Sequence, residues 1–95
     1  MSTTDLTVRK AEARGRYELL DGDDIIGIAD YQVRGDVVVM PHTVIAPARR
    51  GTGLGEVLVR HALDDVRADG RQVVPACWFV AGFIEAHPEY GDLAA

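Results

Sequence analysis

His42 to Gly70 reads HTVIAPARRGTGLGEVLVRHALDDVRADG, and the hydrophobic pattern changes period in the middle of this stretch. From Gly53 onward the apolar positions are Leu54, Val57, Leu58, His61 or Ala62, and Val66, spaced for one face of a helix. Glu56, Arg60, Asp64 and Arg67 fall on the other side, and Gly70 ends the helix. Ahead of it lies Arg49-Arg50-Gly51-Thr52-Gly53-Leu54-Gly55, with three glycines in five residues. Such a loop either makes a tight strand-to-helix connection or curls so that successive amide N–H groups point into one concavity. With the positive end of a helix behind it, the second form is an anion site suited to a phosphate or pyrophosphate. Arg49 and Arg50 add guanidinium groups at its mouth, a geometry that matches phosphate.

Working outward toward the N-terminus, Arg16–Leu20, Ile25–Val33 and Val37–Ile45 read as strands. They are separated by turns at Asp21-Gly22-Asp23-Asp24 and Arg34-Gly35-Asp36. Connections this short join antiparallel neighbours, so the three strands form a meander. Pro41 cannot donate to a ladder, which predicts a bulge or an open edge in the third of them. Residues 1–15 read as a loosely held lead-in with an edge strand at Leu6–Arg9. Toward the C-terminus, Gln72-Val73-Val74 is a short buried strand stopped by Pro75, expected to pair in parallel beside the Val37–Ile45 strand. Cys77 to Ala86 reads as a second helix, apolar at Phe79, Val80, Phe83 and Ile84 and ended by His87-Pro88. The fold class is α+β. A mostly antiparallel sheet is followed by a helix, a parallel strand and a C-terminal helix, in one domain over residues 1–95.

Composition bounds the function. The chain has 95 residues, 47% hydrophobic and 26% charged, which is globular rather than disordered. No apolar run approaches the ~20 residues of a membrane helix. Ten basic against fifteen acidic residues give a net charge of −5, which argues against a broad nucleic-acid footprint. The single cysteine, Cys77, has no internal disulfide partner, and the expected location is the cytoplasm. The acidic balance mildly favours cationic partners. No HxH, CxxC or carboxylate pair points to a metal.

Three kinds of loop carry glycines in this way, and the residues separate them. A P-loop needs a lysine after its glycines, and none follows here. A dinucleotide fingerprint counted from Gly51 meets Glu56 where its third glycine belongs. What remains is Arg50-x-x-Gly53-x-Gly55 entering a helix after an antiparallel meander. Together with His42-Thr43-Val44-Ile45-x-Pro47, Val73-Val74-Pro75-x-Cys77 and His87-Pro88-Glu89-Tyr90, it resembles the small, single-domain branch of the GNAT superfamily of N-acetyltransferases. The resemblance runs over about residues 16–93. It departs from full-length members in lacking the helices after the first strand and the C-terminal hairpin, elements that form much of the acceptor wall.

The resemblance implies acetyl-CoA as co-substrate and direct acetyl transfer to an amine, on a small molecule or a protein. Thr43, Val44 and Ile45 would lie on the strand whose backbone pairs with the pantetheine amides. Arg50, Gly51, Thr52, Gly53, Leu54 and Gly55 would hold the pyrophosphate through backbone N–H groups. The strands carrying Val44 and Val74 would splay apart to admit the acyl arm, with Cys77 opening the helix beside the thioester end.

Two side chains are catalytic candidates, each with a plainer reading beside it. Cys77 is either a small buried hydrophobe or a thiol whose pKa a helix N-terminus lowers, able to accept an acetyl group. His42, grouped with Val38, Met40 and Val44 on one strand face, is either a satisfied strand histidine or the base that takes the amine proton. His61 reads as structural in the helix seam, Tyr90 as packing of the tail or as a proton donor, and Trp78, Phe79 and Phe83 as core. The alternative to an enzyme is a non-catalytic module that binds acyl-CoA or a partner protein; a purely structural domain is the third reading. Neither membrane nor nucleic acid is an expected partner, and the expected state is a monomer or weak homodimer.

Overall fold

The computed structural model describes residues 6–95. Five strands, β1 (Leu6–Ala11), β2 (Arg16–Asp21), β3 (Asp24–Arg34), β4 (Val37–Ile45) and β5 (Gln72–Val74), form one sheet in chain order. The first four are antiparallel neighbours. β5 returns after helix α1 (Leu54–Ala68) and runs parallel to β4, pairing Val37 to Val39 with Gln72 to Val74. Helix α2 (Trp78–Ala86) follows, and a 3-10 stretch, Pro88–Leu93, carries the tail back to β5. There Ala94 bridges Val73, so the outer edge of β5 is covered, and among the described residues β1 is the free edge.

The meander, the parallel return strand and both helices match the sequence reading. Residues 6–15 do not. They were expected to be a loose lead-in with a strand ending at Arg9, but β1 runs to Ala11 and a 3-10 turn, Glu12–Arg14, joins it to β2. The ladder to β2 holds it, Leu6 and Val8 pack against the core, and Lys10 pairs with Asp65 at 3.1 Å. On the other face Glu18 adds a tie: Arg9 donates to it through Nε at 3.0 Å and Nη2 at 2.6 Å, Arg14 at 3.0 Å and Arg16 at 2.8 Å. Residues 1–5 of that expected lead-in lie outside the described residues.

Both helices lie on one face of the sheet. Tyr17, Leu19, Ala29, Met40 and Val73 pack with Leu58, Val59, Ala62, Leu63 and Val66 of α1 and Val80, Phe83 and Ile84 of α2 in a single core. Side chains of the alternate register, among them Glu18, Ile28, Val39 and Val44, do not join it, as expected where successive residues point to opposite faces. The buried stripe of α1 is therefore rotated slightly from the one read in the sequence: Val57 is 44% exposed, and at the ambiguous position Ala62 is buried while His61 faces solvent.

Pro41 makes the bulge that its missing N–H predicted. Asp30 pairs with His42 and Gln32 with Val39, so Met40 and Pro41 on β4 stand opposite Tyr31 alone on β3. An extra residue reverses the alternation of everything after it. Val38 and Met40 consequently face the core, but His42 does not join them there as the sequence grouping expected; its register partner is Asp30, and Thr43 opposite Ala29 takes the inward place.

Candidate functional site

β4 outlasts β5 by six residues. Pairing stops at Val39 and Val74, Pro75 has no N–H to extend it, and Met40–Ile45 run on without a parallel neighbour. Between this end of β4 and the start of α1 opens a cleft of about 720 Å³, lined by His42, Thr43, Val44 and Ile45 of β4, Arg49, Arg50, Gly51 and Gly53 of the loop, Leu54, Gly55 and Glu56 of α1, and Phe79 of α2. Because this end of β4 lacks a neighbour on one side, residues of both its faces reach the cleft.

The loop is built for an uncovered backbone. Gly51 and Gly53 both have φ of +80°, where a side chain is strained, and a Cβ added at either meets no atom within 4 Å. The Thr52 hydroxyl donates to the Arg49 carbonyl at 2.6 Å and closes the curl. No side chain caps α1, so the first-turn N–H groups after Gly53 are left for whatever occupies the cleft. Gly55 is needed for a different reason: a Cβ there would stand 2.7 Å from the ring of Phe79, which packs over the helix start.

The arginines are less free than their sequence position implied. Arg49 donates to Asp21 at 2.7 Å, and Arg50 turns its Nε back to the Ile45 carbonyl at 3.1 Å while the side chain stays exposed. Positive charge at the mouth is thus offset by Asp21, and the cleft also carries the carboxylate of Glu56.

Cys77 sits at the N-cap of α2, half-buried, and its thiol lies 3.6 Å from the Thr43 hydroxyl across the gap between β4 and α2. Burial pushes the thiol pKa up, but the N–H of Val80, the Thr43 hydroxyl and the N–H of Phe79 together outweigh it, and the net shift is downward. His42 is on the opposite face of β4 from that contact, its Nδ1 3.5 Å from Asp30 Oδ2. The structure therefore brings Thr43, Val44, Ile45, Arg50, Gly51, Gly53, Leu54 and Gly55 around one cleft with His42. Thr52 braces the loop from behind, and Cys77 reaches the cleft by way of Thr43.

Trp78, expected in the core, is 93% exposed at the first turn of α2, and Phe79 is 42% exposed. The α2 stripe that packs inward is Val80, Phe83 and Ile84, which turns Trp78 outward. Tyr90 is committed to the tail: its hydroxyl donates to Asp64 at 2.7 Å. Asp30 was marked by no sequence pattern, and Asp21 was marked only as a turn residue. The signal for each lies in strand register and in a contact 28 residues away, respectively. Among the described residues no group of His, Cys, Asp and Glu is arranged to hold a metal ion, and no helix is long and apolar enough to cross a membrane.

A family model described as GCN5-related N-acetyl-transferase matches residues 16–93. A search of curated proteins found no match. Among solved structures, a GCN5-like protein from Staphylococcus aureus is 20% identical over all of this chain and 91% of its own, with a TM-score of 0.74. A ribosomal-protein alanine N-acetyltransferase from Escherichia coli is 22% identical over 75% of this chain, with a TM-score of 0.63. The match takes in 49% of the Escherichia coli chain, so the present chain spans about half that enzyme's length. N-acetylglutamate synthase from Neisseria gonorrhoeae, complexed with coenzyme A and N-acetyl-glutamate, is 18% identical over 72% of this chain and 18% of its own, with a TM-score of 0.57. At these identities the likeness speaks for the fold.

Proposed function

Because the chain belongs to the GCN5-related N-acetyltransferase family, we propose that it transfers an acetyl group from acetyl-CoA to the nitrogen of an amine, carried by a small molecule or a protein. The observation that carries the reading is the cleft between β4 and the start of α1, with its open glycine backbone and uncapped helix end. These features fit a pyrophosphate chemically: backbone donors converge, the helix end is positive, and no side chain blocks approach. Arg50 to Gly55 would hold that group, and the backbone of Thr43, Val44 and Ile45, on the edge away from β3, would meet the pantetheine amides.

Acetyl-CoA supplies an activated acetyl thioester. His42 takes the amine proton, and a backbone N–H of β4 near the bulge stabilises the oxyanion that develops on the carbonyl. Cys77, its thiol pKa lowered at the start of α2, would accept the acetyl group or pack against it. The same reading has the protein acting in the cytoplasm with a free thiol, as a monomer or weak homodimer. A second reading, a module that binds acyl-CoA without turnover, is favoured by the bare sheet face: a three-residue turn stands where full-length members carry helices.

Amide-shift titration with acetyl-CoA and separately with coenzyme A tests the site. Shifts centred on Val44–Ile45, Arg50–Gly55 and Cys77 are expected, and their absence at millimolar ligand sinks the reading. Turnover with a panel of amines then separates enzyme from module. For Cys77, incubation with acetyl-CoA should add an acetyl mass that Cys77→Ala abolishes; an undiminished mass shift in that variant removes the covalent role.

A further inference from the structure

Three residues lie in a row across the helix-free face of the sheet. Arg16 on β2 is in register with Asp30 on β3, and Asp30 with His42 on β4. By position Asp30 has a choice of two cationic partners. The choice is already made, because Arg16 is drawn along its own strand to Glu18, its guanidinium 2.8 Å from Oε2. Among the described residues the one ionic partner left to Asp30 is His42, with Nδ1 3.5 Å from Oδ2. The bulge at Met40–Pro41 sets this up, since unbroken one-to-one pairing from Gln32 and Val39 would put Pro41 opposite Asp30.

We infer that Asp30 is a positioning residue. It keeps the His42 proton on Nδ1 and leaves the Nε2 lone pair to accept a proton from the incoming amine. A carboxylate beside one ring nitrogen selects the tautomer in this way, because a neutral imidazole carries one N–H and a carboxylate can only accept. His42 lines the cleft and its side chain is 63% exposed. Transfer forms the N–C bond of the amide and breaks the thioester C–S bond, with sulfur leaving as thiolate. The displaced amine proton rests on Nε2 and passes to water, with Asp30 beside the other ring nitrogen. Glu18 holds the arrangement at one remove by keeping Arg16 from Asp30. The inference rests on the acetyl-transfer reading above.

The test uses the full chain with 15N-labelled histidine, comparing wild type, Asp30→Ala, Asp30→Glu and His42→Gln. Ring nitrogen shifts report the tautomer directly: the Nδ1–H form is expected in wild type and the Nε2–H form, preferred by free imidazole, in Asp30→Ala. With an amine that wild type acetylates, Asp30→Ala should lose about tenfold in kcat, within the range that general-base catalysis supplies, at unchanged KM for acetyl-CoA. Asp30→Glu should recover part of the loss. An Nε2–H tautomer already present in wild type overturns the inference, as does a tautomer change in Asp30→Ala that leaves kcat untouched. Full turnover in His42→Gln overturns the base assignment itself and the inference with it. If wild type acetylates no amine, the acetyl-transfer reading fails separately, and the wild-type tautomer alone decides whether Asp30 holds His42.

Discussion

On its helix side the sheet presents Tyr17, Leu19, Ala29, Met40 and Val73 to α1 and α2, each at 1% exposure or less. On its other side the most enclosed group is a carboxylate, Glu18, at 0% exposure beneath Arg9, Arg14 and Arg16. Arg9 and Arg14 are themselves more than half exposed, so Glu18 is sealed by a single layer of side chains rather than sunk in a core. One face is held by apolar area and shape, which respond to lost volume. The other is held by charge, which responds to pH and salt. The cleft lies where neither arrangement is complete, at the unpaired end of β4. A site on this sheet therefore depends on both kinds of support, and the two can be removed one at a time.

The largest effect should come from the helix side. Leu63→Ala empties a fully buried position and should cost about 2–5 kcal/mol. It should lower the urea midpoint by the same amount at pH 7 and pH 4.5; a strongly pH-dependent loss would break the division between the faces.

Next is Glu18, whose carboxyl is lowered to about 2 by hydrogen bonds from Arg9 first, then Arg16 and Arg14, against the upward push of burial. A depressed carboxyl stabilises the fold fully above its ordinary value of 4.5, and the contribution is lost as pH falls from there toward about 2. Wild type should therefore weaken through that window, and Glu18→Gln should be less stable at pH 7 but flatter below pH 4.5. Parallel acid limbs in urea titrations of the two proteins would show that the cluster does not hold β1 to β2.

Gly53→Ala sharpens the comparison at the cleft. Its φ of +80° should cost a side chain about 1–2 kcal/mol. Since nothing crowds the added methyl, the loss should appear chiefly in coenzyme A affinity by calorimetry rather than as collapse of the fold. A variant that binds like wild type would remove the loop from the site. The smallest change is expected for Trp78→Ala, which should leave stability within about 0.5 kcal/mol because 93% of the residue is already in water. A larger loss by thermal melting would mean that Trp78 is covered in solution.

Elements were legible where a period persists: the α1 stripe, the meander and the Gly51–Gly55 loop follow from local spacing. What escaped depends on pairing. His42 was grouped with Val38 and Met40 because alternation was carried through Pro41, although the same proline announced a bulge. The leading segment looked loose because its order comes from pairing with β2 and from Glu18, a charged residue whose partners lie up to nine positions away. Trp78 was assigned inward on hydrophobicity alone, while Val80, Phe83 and Ile84 already fill the contact with α1. Asp30 has no local signature whatever; it acquires a role only when β3 and β4 are laid side by side.

The extra residue in β4 works as a phase shift. Met40 and Pro41 share the space opposite Tyr31, and every side chain from His42 to Ile45 is displaced by half a cycle relative to Val37–Val39. Deleting Pro41 would leave both flanking registers as they are: Met40 would stand alone opposite Tyr31, with His42 still opposite Asp30 and Thr43 still opposite Ala29. Pro41 is thus a residue the strand could lose without exchanging the side chains that look toward α2 and those that look toward water.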